Sequence, residues 1–306
     1  MGSGRFDADA WKGYATKSGY DTKTTAEIFN KGVMDKDLDP MGVKIRESRD
    51  SKDNPESTAI IIAQDVTGSM GMISDVMARK GVPTLVTNIY DRKPVTDPHV
   101  MCMAIGDVEC DRSPLQVTQF EADIRIAQQL EKFYLEGGGG GNNHESYSMA
   151  WYFAAMHTSI DCFEKRGKKG YLFTIGDEMP DPSLSRGDLK KVLGSGPEKD
   201  LSLNELLTMA SRQWEIFHVV VEEGSYCRGN ADRVVKAWQE HLGQHVIRLA
   251  DHTKLPEVIV STIQVVEGAS HKEVADSWDG STSVVVGNAI RGLTKGADRS
   301  SGVVTL

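Results

Sequence analysis

The chain has 306 residues, an ordinary composition (39% hydrophobic, 26% charged) and a formal net charge of −9. Its length allows one domain with a large core plus extensions. The acidic balance argues against nucleic-acid binding through a broad basic footprint, and the run Lys165-Arg166-Gly167-Lys168-Lys169 reads as a solvated turn. Four cysteines, Cys102, Cys110, Cys162 and Cys227, show neither a CxxC pair nor a zinc spacing, so reduced thiols in a cytoplasmic protein are expected. No apolar run approaches the ~20 residues that span a bilayer. The first six residues lack a hydrophobic signal core, and Phe6 stands where myristoylation needs Ser or Thr. A soluble protein with no membrane partner is expected.

Residues 1–55 are polar and irregular and read as an N-terminal extension. Thr24-Thr25-Ala26-Glu27 has the pattern of a capping box, residues 42–48 alternate like an edge strand, and residues 51–55 mark a loop. Trp11, Tyr14, Tyr20 and Phe29 either dock on the main domain or await a partner. Ala59-Ile60-Ile61-Ile62-Ala63 then reads as a strand buried on both faces. It stops at Asp65, where Thr67, Gly68, Ser69 and Gly71 take over, and residues 72–80 have helical spacing. One carboxylate and two hydroxyls therefore sit in a tight loop at the C-terminal end of a central strand, where open α/β sheets bind ligands. Oxygen donors there suit a hard cation such as Mg²⁺; the plainer reading is a helix cap and a supported turn.

Further along, strands are expected at 99–107, 115–120, 170–175, 216–221 and 245–249. Helices are expected at 122–135, 147–160, 203–214, 231–242 and 255–266, with a short one inside 183–201. This alternation implies a Rossmann-like α/β fold with a mainly parallel sheet covered on both faces, spanning 56–268. Residues 269–306 form a polar C-terminal extension in which 283–286 and 303–304 could add edge strands.

Three loops gather the chemistry. The first carries Asp65, Thr67 and Ser69. The second is the run Gly137 to Gly141, followed by Asn142, Asn143, Glu145 and Ser146 at the start of a strong helix. The third follows the strand 170–175 and carries Asp177, with Glu178 and Asp181 close by. Five consecutive glycines cost much backbone entropy, which implies positive φ or close approach to something. No Gly-Lys-Ser/Thr follows, so this is not a P-loop, and it does not fit a dinucleotide fingerprint. Elsewhere, Asp107, Glu109 and Asp111 read as a solvated acidic turn rather than a second cation site, and His218 as a core residue.

Asp65-Val66-Thr67-Gly68-Ser69 resembles the DxSxS signature of von Willebrand factor A (vWA) domains, with threonine for the first serine. That signature opens the metal-ion-dependent adhesion site (MIDAS), and Asp177 fits the family's later aspartate in order and spacing. No threonine follows the glycines; the resemblance to intracellular relatives gives that role to Glu145, with Ser146 and Asn143 as substitutes. It implies a vWA fold over 56–268, with Asp65, Thr67, Ser69, Glu145 and Asp177 holding Mg²⁺ or Mn²⁺. One coordination position is then left for an acidic residue of a protein partner, without catalysis. An AAA+ ATPase is among the partners that the resemblance to intracellular A domains implies. The loops also resemble those of haloacid-dehalogenase-like phosphotransferases, through DKTGT-like Asp65–Ser69 and the GDxxxD-like run from Gly176. In that alternative Asp65 is a phosphoryl-accepting nucleophile, and Asp177 and Asp181 hold Mg²⁺. Thr67 stands where soluble members carry a second Asp, and that reading gives the glycine loop no role.

Overall fold

The computed structural model describes residues 4, 7–19, 22–29, 32–139 and 141–294. At its centre, β1 (Thr58–Asp65) has all eight residues buried, as its Ile-rich run requires of a strand covered on both faces. The other strands of this sheet are β2 (Pro98–Ile105), β3 (Leu115–Val117), β4 (Gly170–Gly176), β5 (Trp214–Val221) and β6 (Val246–Leu249). Their spatial order is β6-β5-β4-β1-β2-β3, parallel throughout except for β3, which runs antiparallel to β2. The chain winds outward from β1 and then returns to its other side with β4. That reversal opens a crevice at the C-terminal ends of β1 and β4.

Side chains alternate across β1, and the two faces bury different partners. Ile60 and Ile62 pack with Leu85 and Ile89 of α1 (Val82–Arg92), Ile259 of α5 (Leu255–Val266) and Ile290 of α6 (Gly280–Ile290). Ala59, Ile61 and Ala63 face α2 (Tyr147–Met156), α3 (Leu203–Ala210) and α4 (Ala231–Leu242), meeting Phe153, Leu206 and Trp238. The small residues of β1 on this side admit α2, whose first eight residues are all buried. The architecture is the expected mixed α/β sandwich of helices on a mainly parallel sheet.

Several elements differ from the sequence expectation. Residues 72–80 form a short helix, Met72–Val76, then a π-helical turn, Met77–Gly81, leading into α1; Pro83 has no N–H to continue a regular ladder there. The helix expected over 147–160 ends at Met156, and β-branched Thr158 and Ile160 form a strand paired in parallel with Arg46–Ser48. The expected edge strand at 42–48 thus shrinks to three residues outside the main sheet. Only Arg125–Leu130 of 122–135 is helical, and α3 stops at Ala210 because Trp214 opens β5.

The valines at 283–286 lie inside α6, not in a strand: Val286, Ala289 and Ile290 are buried at helical spacing while Val284 is exposed. Of the N-terminal aromatics, Phe29 joins the core and Tyr14 contacts Glu131. The side chain of Trp11, Tyr20 and residues 303–304 lie outside what is described. Backbone N–H of Val117 donates to Leu38 O at 2.9 Å, so the N-terminal segment also covers the β3 edge. Among the described residues, no helix is long and apolar enough to cross a membrane.

Candidate metal centre

Asp65 is the last residue of β1 and is fully buried. The tight turn after it folds Thr67 back, so that Asp65 Oδ1 accepts from Thr67 N–H at 2.8 Å and Thr67 Oγ1 at 2.7 Å. Thr67 Oγ1 lies 3.3 Å from Ser69 Oγ, which donates to Asp177 Oδ1 at 2.6 Å. The first and third loops therefore meet at the crevice, and four residues form a continuous chain of oxygens: Asp65, Thr67, Ser69, Asp177.

The glycine loop lies directly over this chain. Gly68 N–H donates to Gly138 O at 2.6 Å. Gly139 has φ +114°, and a Cβ there would stand 3.4 Å from Glu145 Oε1 and 3.6 Å from Thr67 Cβ. The expectation of positive φ and close approach holds here. A Cβ on Gly138 would stand 1.9 Å from Asp111 Oδ1, the oxygen that accepts from Gly139 N–H. Glu145, at the mouth of α2, is 2% exposed and sits beside Thr67 and Asp65, with Oε2 lacking any hydrogen-bond partner. Ser146 instead accepts from Val108 N–H, and the backbone O of Asn143 accepts from Met179 N–H. Neither of those side chains joins the oxygen chain.

Asp177 follows β4 and is fixed on its far side by Tyr226 N–H, which donates to Oδ2 at 2.8 Å. Ser225 donates twice to Ser69 O, through N–H and Oγ, each at 2.9 Å. Glu178 stands at the rim near Ser69 and Asp177. Between these loops lies an open cleft of about 450 Å³ lined by Ser69, Gly139, Glu145, Glu178, Ser225 and Tyr226.

Burial and mutual repulsion dominate the electrostatics. Burial pushes the Asp65 carboxyl up, and the nearby Asp177 adds to the shift against the hydrogen bonds of Thr67. Glu145 is raised further, by burial and then by Asp65, Glu178 and Asp107. Asp177 is raised by burial, and Glu178 is pushed up to about 7 by burial and by Asp177. No Lys or Arg forms an ion pair with any of these four among the described residues. Such a group is costly at neutral pH unless a cation joins it.

That is the test of whether the residues fit a divalent ion, and they do. Hard oxygen donors converge, a carboxylate oxygen is orphaned, and positive charge is missing. Among the described residues, the His, Cys, Asp or Glu trio whose ligand atoms fall within 4.8 Å of one another is Glu223, Asp251 and His252, not Asp65, Glu145 and Asp177. Hydroxyls separate those carboxylates, so an ion between them would reach at least one through water.

Several residues around the centre escaped the sequence reading. Tyr147 donates its phenol O–H to Asp65 Oδ2 at 2.8 Å, and an aromatic opening an apolar helix gives no hint of that contact. Asp107 and Asp111 are buried, not a solvated turn: Asp111 Oδ2 accepts from Asp107 N–H, while Oδ1 braces the glycine loop. Glu109 alone of that trio is exposed. Ser225 and Tyr226 come from a loop after β5 with no motif. Asp181 accepts from both Ser148 N–H and Ser148 Oγ, which anchors the start of α2, and it does not line the cleft. His218 is a core residue as expected, bonded to Thr174 and stacked on Trp238.

No protein-family model matches the sequence, and no curated protein matches it. Solved structures with a similar fold include the pilus adhesin SpaC from Lactobacillus rhamnosus GG in its open conformation. It has 11% identity and a TM-score of 0.46, over 71% of this chain and 30% of the adhesin. A second SpaC form matches at 10% identity and TM-score 0.45, over 72% and 32%. A von Willebrand factor type A protein from Catenulispora acidiphila matches at 14% identity and TM-score 0.38, over 69% of this chain and 42% of that one. The chain thus spans less than half the length of each.

Proposed function

We propose that this chain is a vWA-like recognition domain that binds a protein partner through a divalent cation and carries out no chemistry of its own. The observation that carries it is the Glu145 Oε2 orphan, buried in a carboxylate group that no Lys or Arg among the described residues pairs with and that Thr67 and Ser69 string together. Asp65, Thr67, Ser69, Glu145 and Asp177 would hold Mg²⁺ or Mn²⁺, some through water. When bound, the ion would supply a Lewis-acidic position open to a partner's Asp or Glu. Tyr147 holds Asp65 in place from below, and Tyr226 and Ser225 fix the opposite wall.

Glu145 and Glu178 add negative charge beyond a threonine-type site, which tightens metal binding and weakens the pull on an acidic partner. The four unpaired thiols, three of them buried, support a reducing cytoplasm as the working compartment. An AAA+ ATPase is the partner class carried over from the resemblance alone. The phosphotransferase alternative is less well supported, because both oxygens of Asp65 are bonded and buried, and Asp181 is taken by Ser148.

Affinity capture with the protein as bait, in Mg²⁺ and in chelator, tests the reading. A specific partner retained in Mg²⁺, released by chelator and lost with Asp65→Ala supports it. Retention indifferent to both chelator and the substitution contradicts it.

A further inference from the structure

Arg46 is the anomaly among the buried cations. It is 8% exposed, and its Nη2 donates only to two backbone carbonyls, Asp37 O at 3.0 Å and Val117 O at 3.4 Å. Its Nε is buried with no partner. No carboxylate lies within ion-pair distance among the described residues. The contrast with other arginines is sharp: Arg49, Arg125, Arg166 and Arg248 are all more exposed, and every one has a carboxylate within 4.0 Å. A guanidinium taken out of water without a counter-charge is destabilising unless something else supplies the charge.

Arg46 lines a pocket of about 530 Å³ between the N-terminal segment, Gln119 and Glu121 after β3, and the helix Arg125–Leu130. Lys36, Arg125, Lys132 and the amides of Gln128 and Gln129 also line it. Three acids line it as well: Asp37 pairs with Lys132, Glu121 lies 3.0 Å from Arg125, and Asp39 accepts from Met41 N–H. Lys36 and Arg46 are left without a carboxylate among the described residues. Burial lowers the basicity of Arg46, and Asp37 offsets only part of that. The pocket has the volume of a small-molecule site, and it shares no lining residue with the cleft at Ser69 and Glu145.

We propose that this pocket binds a small oxyanion, a phosphate or carboxylate group, with Arg46 as its buried anchor and Lys36 and Arg125 at its mouth. The planar guanidinium suits such a group because it directs several N–H donors at paired oxygens. The site is independent of the proposed metal centre, so either can fail without the other.

The test is titration of the full chain, metal-free, with inorganic phosphate and separately with citrate, followed by calorimetry and by the arginine Nε–Hε resonances. Expected are saturable binding of one or both anions and a shift of the buried Arg46 Nε–Hε signal. The affinity should weaken about tenfold or more in Arg46→Gln. If Arg46→Gln does not fold, Lys36→Gln decides, expected to weaken binding severalfold with thermal unfolding unchanged, because Lys36 holds no carboxylate among the described residues whereas Arg125 holds Glu121 and Asp123. Phosphate alone, or citrate alone, binding identifies which oxyanion the pocket takes. No saturable binding of either by the wild type, or binding that none of the substitutions weakens, overturns the proposal.

Discussion

Two groups of acidic side chains lie within this one sheet-and-helix body and stand in opposite electrostatic states. Near the strand Arg46–Ser48, Asp50, Asp161 and Glu164 are met by Arg49, Lys165 and Arg166, and all three carboxyls are held below their ordinary range. At the C-terminal ends of β1 and β4, Asp65, Glu145, Asp177 and Glu178 meet hydroxyls, a phenol and backbone N–H groups but no Lys or Arg among the described residues, and all four are pushed up. Burial opposes the charge in both places. What separates them is positive charge: Arg and Lys side chains supply it at the first cluster, and none among the described residues does at the second. That difference is what the proposed metal centre rests on, since carboxylates grouped without a counter-charge mark a candidate functional site.

The comparison can be broken by substitution. The largest effect is expected at Asp65→Ala, which removes the carboxylate that both Thr67 and Tyr147 address. Calorimetric Mg²⁺ affinity should fall by more than about 100-fold, beyond the loss typical of a merely supporting residue. At the other cluster, Asp161→Ala strips a carboxylate from Arg49 and Lys165 and an acceptor from Asp50 N–H. It should cost about 2 kcal/mol by urea unfolding, less than a fully buried pair because both cations reach solvent. Tyr147→Phe removes the phenol donor from Asp65 and should weaken Mg²⁺ binding about tenfold. Glu145→Gln should do the reverse of Asp161→Ala. Without metal it removes the cost of protonating a buried carboxyl and stabilises the fold by about 1 kcal/mol, while Mg²⁺ affinity drops.

The pH response sharpens the contrast. Asp50 and Asp161 have depressed folded-state values, so their contribution is present above the ordinary carboxylate range and is lost as pH falls through them. Glu178 is raised from 4.5 to about 7, so the folded protein binds more protons than the unfolded chain in that window. The metal-free protein should therefore lose stability as pH rises from about 4.5 to 7. Saturating Mg²⁺ should flatten that slope, as thermal unfolding across the pH series will show.

Much of the sheet was legible because its strands obey simple rules. The short, β-branched run of β1 reads as a strand buried on both faces, and the loop after it advertised Asp65, Thr67 and Ser69. Asp177 was legible for the same reason, as the first carboxylate past another buried strand. The supporting residues were not. Tyr147 looks like core because a phenol reaching a strand end 82 positions earlier leaves no local pattern. Asp111 reads as solvated from its polar neighbours, yet the glycine loop folds onto it. The valines of α6 misled for a related reason: β-branched residues favour strands, but tertiary packing against α5 overrode that preference. Arg46 is equally silent in sequence, since only the three-dimensional neighbourhood reveals that no carboxylate among the described residues forms an ion pair with it.

Mg²⁺ titration of the wild-type chain near neutral pH, by calorimetry in two buffers of different ionisation enthalpy, tests the missing-charge account most directly. One ion per chain should bind with net release of protons, as Glu145 and Glu178 give up the protons that burial makes them hold. An absence of binding, or binding with no proton release and no dependence on Asp65, would contradict it.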